Sequence, residues 1–511
     1  MKAIAALNEE NSCEVYLSDS VDKLQHEACL SFSSDKLREE CGVFGVYLDD
    51  GERDAAPFVY YGLLSLQHRG QESAGIAAVK NKVIENYKNM GLVSEVFKPE
   101  IMEQLRGPAA VGHVRYSTSG ASVLQNAQPF SSQCKSDLTD ETHYIAVAHN
   151  GTLSNTEAIR DMLQEGGVGF ASSSDSEVIT QLIVRNYKKK GLDRAIIDTI
   201  QLLSGSYALV VLTDEGLVGA RDPNGIRPLC LGRLKGGWIL ASESCAIDAV
   251  GGKFVRDIEP GEIVIIMKGR VITHTLREKI RRAVCSFEYI YFARPDSVID
   301  KVSVYDARIR AGMILGEESR VEGADLVIGV PDSGIPAAIG YGRATGTPFG
   351  LGIVKSKYVG RTFIAPSQRQ REEYVLVKHN VIASEVRGKS VVIIDDSIVR
   401  GTTSKRLATI LRAAGSREVH MRICSPPVRY PCFFGIDTPH RKDLISNGAD
   451  PEKLCKYLGT DSLAFISVEG LLKSLVITEE EPGGYCLGCF TGEYPIPVPD
   501  KIKSGIIKHT V

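Results

Sequence analysis

The clearest chemistry in this chain lies in two adjacent carboxylates followed by a glycine and two hydroxyl residues. The run VVIIDDSIVRGTTS places Asp395 and Asp396 directly after a short apolar segment, and Gly401, Thr402 and Thr403 soon after them. Paired carboxylates can hold sugar hydroxyls and, directly or through water, Mg²⁺. A glycine and hydroxyls at a helix N-terminus offer amides and donors to a phosphate. The stretch predicts a phosphosugar site, although alone it also suits a plain strand, polar turn and helix.

Cys41 is a candidate nucleophile because of its position. The stretch REECGVFG, residues 38–45, begins an apolar run after a polar, acid-rich leader. If the chain is cut before Cys41, the residue has a thiol and a free α-amine, whose usual pKa of about 7.7 to 8.0 suits proton transfer near neutrality. One residue would then supply both nucleophile and base. Taken alone, Cys41 also suits a buried core position.

Four of the twelve cysteines draw attention by their spacing. Cys486 and Cys489 form a close pair in YCLGCF, whereas Cys285 and Cys432 lie far away in sequence. In a chain without a secretion signal, cysteines are read as thiols, metal ligands or nucleophiles before disulfides. A close pair is typical of a metal or cluster site, but two distant partners leave that assignment open.

Composition excludes several classes of function. The chain of 511 residues is 43% hydrophobic and 24% charged with a net charge of −3, so it is not basic enough for general nucleic-acid binding. No apolar run approaches the roughly 18 to 20 residues that cross a bilayer. The acidic leader argues against secretory and organellar targeting. We therefore expect a soluble, cytoplasmic protein with neither a membrane nor a nucleic acid polymer as partner. Residues 1–40 are either a propeptide or an extension that stays attached.

The elements that carry these residues change character along the chain. From Cys41 to about Ile272, short apolar runs such as YIAVAHNG alternate with turns, and helical stretches fall near residues 156–165 and 175–190, which predicts stacked sheets flanked by helices. After about residue 285, ADLVIGVPDSGIPAAIGYGRATG and the VVIIDD unit each indicate strand, loop and helix, the alternation of a parallel sheet. The length also favours several domains.

These motifs resemble two known families. VPDSGIP and DDSIVRGTTS are similar to the binding fingerprint of type I phosphoribosyltransferases. ECGVFG, together with the polar clusters LQHRGQESAG, GHVRYSTSG, AVAHNG and SSSDSE, resembles the N-terminal-nucleophile glutamine amidotransferases. Both halves together resemble the glutamine phosphoribosylpyrophosphate amidotransferase family, in its iron–sulfur-bearing branch, from Glu39 to about Pro495.

The resemblance implies an α/β and α+β two-domain fold. Residues 1–40 would be a propeptide, and residues 41–272 an N-terminal-nucleophile glutaminase domain with four α/β/β/α layers. Residues 273–471 would form a type I phosphoribosyltransferase domain with a parallel sheet. Residues 472–511 would form a C-terminal segment that carries two of the cluster cysteines.

The implied activity is that of an amidophosphoribosyltransferase, at the first step of de novo purine biosynthesis. Glutamine would be hydrolysed at Cys41, and its ammonia would attack C1 of phosphoribosyl pyrophosphate (PRPP), giving 5-phosphoribosylamine, glutamate and pyrophosphate. A closed, largely apolar passage between the two sites is implied, because ammonia must neither escape nor become ammonium. Family members also imply a homotetramer and feedback inhibition by purine nucleotides.

The resemblance also assigns roles to individual residues. The catalytic residues would be Cys41, Asn150 and Gly151, the last two forming the oxyanion hole. Glutamine would be bound by Arg69, Gly70, Arg115, Tyr116, Thr118 and Asp175, with Arg115 on the α-carboxylate and Asp175 on the α-amine. PRPP would be bound by Asp395, Asp396, Arg400, Gly401, Thr402, Thr403, Lys357 and Arg361. The basic stretch with Lys357 and Arg361 equally suits a solvated loop.

Two cofactors follow from the resemblance. Mg²⁺ would lie at Ser333, Asp395 and Asp396. A structural 4Fe–4S cluster would be held by Cys285, Cys432, Cys486 and Cys489. A zinc ion on the same four thiolates, or unmetallated core thiols, are the alternatives.

Two other functions compete with this interpretation. A PRPP-binding regulator could keep the Asp395 to Thr403 fingerprint and use the first half as a sensing module, but it would have no reason to retain Cys41, Arg115 and Asn150. A sugar-phosphate glutamine amidotransferase would share the first half, but DDSIVRGTTS argues against it.

Overall fold

The protein is described by a computed structural model that covers residues 41–116, 122–276, 281–356, 379–438, 440–448, 450–475 and 484–498. Its first part contains thirteen strands within these residues. They are β1 Gly42–Leu48, β2 Ser73–Lys80, β3 Val83–Met90, β4 Ala109–Arg115, β5 Phe130–Lys135, β6 Thr142–Leu153, β7 Gly205–Thr213, β8 Leu217–Arg221, β9 Cys230–Leu234, β10 Gly237–Ala241, β11 Lys253–Asp257, β12 Glu262–Met267 and β13 Arg270–Thr275.

The strands form two antiparallel sheets, in the orders β11-β9-β10-β1-β4-β2-β3 and β13-β12-β8-β7-β6-β5. The helices of this part are α1 Ala56–Ser65, α2 Val93–Val96, α3 Pro99–Met102, α4 Thr156–Glu165, α5 Asp175–Lys189, α6 Leu192–Leu202 and α7 Ser244–Ala249, with a 3₁₀ turn at Leu124–Asn126. The helices predicted near residues 156–165 and 175–190 are confirmed as α4 and α5.

The two sheets stack face to face and are covered by helices on both outer faces. Val43 of β1 packs with Ala148 and Val210 in the core between the sheets, whereas Phe44 of the same strand packs outward with Val59 of α1. Because both faces of β1 are buried, its sequence is a continuous apolar run and not an alternating one. The expected four-layer α/β/β/α fold is confirmed.

The second part is built around a parallel sheet, β17-β20-β21-β22. Its strands are β14 Val284–Cys285, β15 Val298–Ile299, β16 Val302–Ser303, β17 Leu326–Gly329, β18 Ile353–Lys355, β19 His379–Val381, β20 Ser390–Asp395, β21 Glu418–Ile423, β22 Ser462–Phe465 and β23 Tyr485–Cys486. The helices are α8 Val304–Glu318, α9 Gly334–Thr345, α10 Ala383–Val386, α11 Thr402–Ala413, α12 Pro451–Leu458, α13 Val468–Leu475 and α14 Gly488–Thr491, with a π-helical turn at Glu288–Phe292 and a 3₁₀ turn at Arg441–Asp443.

Buried side chains alternate across the parallel sheet. Val392 and Ile394 of β20 belong to the core on one face, and Val391 and Ile393 to the core on the other. The predicted parallel α/β organisation of this part is confirmed by the pairing of β20 with β17 and β21.

The junction between the two parts lies between β13 and β14. Strand β13 pairs with β12 along its whole length, so the six-stranded sheet of the first part continues past Ile272 to Thr275. Within the described residues, every helix is too short or too polar to cross a lipid bilayer.

Candidate functional site

Cys41 stands immediately before β1 and is buried. Its Sγ atom makes a long hydrogen bond, 3.9 Å, to the carbonyl oxygen of Tyr116. Tyr116 follows β4, which pairs with β1 through Gly42 opposite Val114. The candidate nucleophile therefore lies beside two of the predicted glutamine-binding residues, Arg115 and Tyr116.

Arg115 is held at the end of β4 by a turn that contains Gly70. A Cβ atom added at Gly70 would lie 2.5 Å from the carbonyl carbon of Val114 and 2.6 Å from the amide nitrogen of Arg115. Only glycine permits such a close approach between two backbones. Arg115 is 5% exposed, and a buried guanidinium suits the binding of a carboxylate.

Asn150 and Gly151 lie near the end of β6, on the sheet that faces β4. The side-chain amide nitrogen of Asn150 is buried and has no hydrogen-bond partner among the residues that the structure describes. Gly151 has φ +142°, and a Cβ atom there would lie 2.2 Å from the carbonyl oxygen of Ser206. A buried donor without a partner is costly and therefore calls for a bound acceptor. Such a donor suits an oxyanion hole.

Asp175 begins α5 and is also buried. Its Oδ2 atom accepts a hydrogen bond from the amide of Leu153 at 3.1 Å, and its Oδ1 atom accepts one from the hydroxyl of Ser176 at 3.3 Å. Burial would raise the pKa of Asp175, but His149, whose Nδ1 atom lies 3.5 Å from Oδ1, and these hydrogen bonds lower it overall. The carboxylate is therefore ionised at neutral pH and suits an ammonium group.

A buried network, absent from the sequence predictions, connects the strand of Arg115 to the strand of Asn150. The Nε2 atom of His113 lies 3.1 Å from the carbonyl oxygen of His149. Gln128 holds the same residue from the other side, since its side chain accepts from the His149 amide at 2.7 Å and donates to its carbonyl at 3.2 Å. Burial lowers the pKa of His113 to about 3. His113 is therefore neutral and donates from Nε2, because a carbonyl only accepts.

The hydrogen bonds among His113, Gln128 and His149 connect the two sheets beside the predicted site residues. His113 is two residues before Arg115, and His149 directly precedes Asn150. The two histidines are visible in GHVRY and AVAHNG, but nothing in the sequence indicates that Gln128 joins them, since it lies in a loop.

The guanidinium of Arg69 contacts two buried carboxylates. Its Nη2 atom lies 2.6 Å from Oε2 of Glu288, and its Nε atom donates to Glu243. Burial would lower the pKa of Arg69, but the two carboxylates raise it above its usual value. Arg69 therefore forms a buried ion pair with the second part of the chain, while its neighbour Gly70 contacts Arg115.

A second group of predicted residues meets at the carboxyl edge of the parallel sheet. Asp395 ends β20, and both it and Asp396 are 1% exposed. Asp396 accepts hydrogen bonds from the hydroxyls of Ser333 and Ser397, the latter at 2.7 Å. Ser333 belongs to the VPDSGIP loop after β17, so the two loops identified in the sequence come together. Ligands bind at this edge in open parallel sheets.

The predicted phosphate cradle has the expected backbone geometry. Gly401 is the N-cap residue of α11 with φ +82°, and Thr402 is the first residue of the helix. Thr402 is exposed, whereas Arg400 and Thr403 are partly exposed. Helix N-terminal amides and the positive end of the helix dipole favour a bound anion.

The four predicted cluster cysteines are gathered into one group. Cys285 and Cys486 are opposite each other in the pairing of β14 with β23, and the amide of Phe434 donates to Sγ of Cys432 at 3.3 Å. Removal from water raises the pKa of each of the four thiols, that of Cys486 to about 12, and the three other thiols add to the effect at Cys489. Among the described residues, no three His, Cys, Asp or Glu side chains are close enough to hold one metal ion.

Some predicted features lie outside the described residues. These are Thr118, Lys357, Arg361, the leader 1–40 with its predicted cut before Cys41, and most of the segment 472–511.

The fold and the two sites together define a class of enzyme, one that combines a glutamine amidotransferase with a phosphoribosyltransferase. Residues 113–249 match the family model described as a glutamine amidotransferase domain. The amidophosphoribosyltransferase of Archaeoglobus fulgidus is 50% identical over 460 residues, which cover 90% of this chain and 98% of that protein.

Solved structures agree with this class. The glutamine PRPP amidotransferase from Bacillus subtilis, complexed with ADP and GMP, matches with a TM-score of 0.82 and 44% identity over 90% of this chain and 98% of that one. A structure described as the allosteric regulatory enzyme of purine biosynthesis matches with a TM-score of 0.83 and 45% identity over 90% of this chain and 97% of that one. The chain belongs to the amidophosphoribosyltransferase family of glutamine-dependent enzymes.

Proposed function

We propose that this chain hydrolyses glutamine at Cys41 and transfers the ammonia to C1 of PRPP, giving 5-phosphoribosylamine, glutamate and pyrophosphate. The observation that carries the glutaminase half is the buried amide of Asn150, whose nitrogen has no acceptor within the described part of the chain. The His113–His149 hydrogen bond holds the strand of this donor against the strand that leads to Arg115 and Tyr116, next to the thiol of Cys41.

The glutaminase half works by covalent catalysis. The thiol of Cys41 attacks the side-chain amide carbon of glutamine, and the α-amine of the same residue, once a cut before it has freed that amine, accepts the thiol proton and returns it to the nitrogen that leaves as ammonia. Water then hydrolyses the thioester, which releases glutamate and restores the thiol. Asn150 and the Gly151 amide stabilise the oxyanion of the tetrahedral intermediate. Arg115 binds the α-carboxylate and Asp175 the α-amine. Gly70, Tyr116 and Thr118 complete the pocket, with Arg69 fixing the turn of Gly70 through Glu288.

The transferase half binds PRPP at the carboxyl edge of the parallel sheet. Asp395 and Asp396 hold the ribose hydroxyls, and the 5-phosphate lies on the cradle of Arg400, Gly401, Thr402 and Thr403 at the start of α11. Positive character develops on the ribose ring as pyrophosphate departs, and the neighbouring carboxylates stabilise it. Lys357 and Arg361 would neutralise the departing pyrophosphate.

The residues present suit Mg²⁺. Oxygen ligands are what Mg²⁺ prefers, and Asp395, Asp396 and Ser333 provide them at one edge, with Asp396 oriented by two hydroxyls. When bound, Mg²⁺ would neutralise charge on the pyrophosphate group.

The four gathered thiols suit a 4Fe–4S cluster in a structural role. Such a cluster would be held by the thiolates of Cys285, Cys432, Cys486 and Cys489, and four cysteine thiolates are its usual complement. A zinc ion held by the same four thiolates is one alternative. Unmetallated thiols remain the other alternative. The cluster would join the segment after residue 472 to the transferase part.

Several features of assembly belong to the same proposal. Residues 1–40 are a propeptide, the two domains meet between β13 and β14, and residues 472–511 are the C-terminal segment. The chain acts in the cytoplasm as a homotetramer, and purine nucleotides inhibit it. The nucleotides ADP and GMP in the Bacillus subtilis structure support this last point.

The test measures glutamine hydrolysis with and without PRPP in the purified protein, together with its mature N-terminal mass and its iron and sulfide content under anaerobic handling. We expect an N-terminus at Cys41, hydrolysis stimulated by PRPP, and release of pyrophosphate. The variant Cys41→Ser should lose the glutamine-dependent reaction but keep synthesis from added ammonia, because only the first half is damaged. Active protein that still begins at Met1 would contradict the proposal.

The same assay separates the competing functions. A PRPP-binding regulator would hydrolyse no glutamine under either condition. A sugar-phosphate amidotransferase would hydrolyse glutamine regardless of PRPP and would release no pyrophosphate.

A further inference from the structure

A loop of the second part packs directly against strand β6 of the first part. We refer to β6 as the oxyanion strand, because it carries Asn150 and Gly151. This loop, Cys432–Gly435, lies between strands β21 and β22 of the parallel sheet and contains one of the four gathered cysteines. Gly435 has φ +99°, and a Cβ atom added there would lie 3.2 Å from both the Cα and the carbonyl carbon of Gly151. It would also lie 2.9 Å from Nη2 of Arg227. The backbone of Gly151 therefore has the transferase part as its immediate neighbour.

The carbonyl oxygen of Phe434 receives three hydrogen bonds from the first part. Arg227 donates from Nε at 3.0 Å and from Nη2 at 2.6 Å, and the hydroxyl of Ser206 donates at 2.8 Å. The same hydroxyl accepts from the amide of Thr152 at 3.2 Å. Since Thr152 directly follows Gly151, one hydroxyl connects the loop to the strand of the oxyanion hole.

Ion pairs fix the orientation of Arg227. Its Nη1 atom lies 3.5 Å from Oε1 of Glu288, and Oε2 of the same carboxylate accepts from Nη2 of Arg69 at 2.6 Å. The side chains of all three residues are fully buried. Such pairs resist rearrangement, because separating them would leave a charge buried without its counter-charge. The ion pairs with Glu288 therefore fix Arg227, and Arg227 in turn fixes the position of the Phe434 carbonyl.

We propose that the Phe434 carbonyl and Gly435 are positioning residues for glutamine hydrolysis, which hold Gly151 in the conformation that aims its amide at the oxyanion. The proposal rests on the proposed roles of Asn150 and Gly151. An oxyanion hole stabilises the transition state only if its donors are aimed at the developing charge, and displacement by an ångström is costly to catalysis. The transferase part thereby completes the glutaminase site without touching glutamine.

The first variant, Ser206→Ala, removes the hydroxyl between Phe434 and Thr152 and adds no bulk. The second, Gly435→Ala, adds a methyl group against Gly151 and leaves the hydroxyl in place. A matched control is Ser136→Ala, since the hydroxyl of Ser136 accepts from the amides of Leu138 and Thr139 in the β5–β6 hairpin turn. The control loses hydrogen bonds of a similar kind in the same part of the chain.

Three readouts separate positioning from general damage. We expect kcat for glutamine hydrolysis to fall about tenfold in Ser206→Ala and further in Gly435→Ala, below the roughly 100- to 1,000-fold loss that follows removal of a whole oxyanion donor. KM for glutamine should change less than about twofold, because Arg115 and Asp175 are untouched. Alkylation of Cys41 by iodoacetamide, which forms no carbonyl oxyanion, and synthesis from PRPP and ammonia should both match the control.

Either of two results would overturn the inference. One is an unchanged kcat in both variants, and the other is a parallel fall in hydrolysis, alkylation and ammonia-dependent synthesis. The variant Asn150→Ala serves as the reference for the underlying site. If that variant keeps full hydrolysis, the proposed oxyanion hole itself is wrong, whereas loss of activity there with normal activity in both Ser206→Ala and Gly435→Ala would refute only the positioning role.

Discussion

Replacing Glu288 with glutamine tests whether buried charges hold the two parts together. Glu288 receives Nη2 of Arg69 at 2.6 Å and lies 3.5 Å from Nη1 of Arg227. Glu243 is the other carboxylate of this group, so two guanidinium ions face two carboxylates. Glu288→Gln keeps the size and shape of the side chain but leaves two cations facing one anion. Because all of these side chains are fully buried, solvent cannot compensate the lost charge.

Glu288→Gln replaces one oxygen of the side chain with an amide nitrogen, yet we expect a large decrease in the free energy of unfolding. Removing one partner of a buried ion pair costs about 3 to 5 kcal/mol. The free energy of unfolding can be measured by urea titration, followed by the fluorescence of Trp238, the only tryptophan of the chain, which lies in β10 of the first part. We expect the titration midpoint to fall while its slope stays unchanged.

An exposed ion pair provides the control. Glu469 and Lys473 are 2.9 Å apart with most of both side chains in solvent. Glu469→Gln should leave the free energy of unfolding unchanged, because exposed pairs are screened and often contribute nothing measurable. A loss of less than about 1 kcal/mol in Glu288→Gln, or an equal loss in both variants, would refute the reasoning.

Three further predictions concern the two sites. Asn150→Ala should lower kcat for glutamine hydrolysis about 100- to 1,000-fold with little change in KM, since it removes an oxyanion donor; a change in KM alone would contradict this role. Asp396→Asn should lower synthesis from both glutamine and ammonia at least about tenfold while leaving PRPP-independent glutamine hydrolysis intact; loss with glutamine only would contradict it. The depressed pKa of His113, about 3 against about 6.5 unfolded, means that stability is fully present above pH 6.5 and falls as the pH drops, by about 2 kcal/mol at pH 5. Urea titrations of wild type and His113→Gln at pH 7 and 5 should show this loss only in the wild type, and equal pH dependence would contradict it.

Local patterns predicted most of what positions the transferase site. The run VVIIDD is a buried strand with carboxylates at its end, and Gly401 with Thr402 begins a helix, as the sequence indicated. These features depend on residues adjacent in the chain, so apolar runs and turn residues reveal them. The weakly apolar strand Lys253–Asp257 was harder to identify, because it is an edge strand with mostly exposed side chains and lacks a buried pattern.

The relationship between the parts could not be predicted in the same way. The ion pairs of Arg69 join it to Glu243 and Glu288, which are distant from it in sequence. The hydrogen bond between the Gln128 side chain and the His149 amide likewise depends on the conformation of a loop, and a loop shows no hydrophobic periodicity in the sequence. Such contacts are fixed only when separate cores pack together, so the sequence of either partner alone does not reveal them.

The same contacts give a physical reason for joining the two activities in one chain. In the proposed reaction, ammonia released at Cys41 would be useful only if PRPP were bound nearby, and a glutaminase that was complete by itself would waste glutamine. In this structure the backbone of Gly151 packs on Gly435, and Phe434 binds both Ser206 and Arg227. The first part therefore relies on the second for the rigidity of its oxyanion strand. A rise of only about 1.4 kcal/mol in the barrier to hydrolysis would lower its rate tenfold, so a displacement of the Cys432–Gly435 loop that raised this barrier would suffice to couple the two proposed reactions.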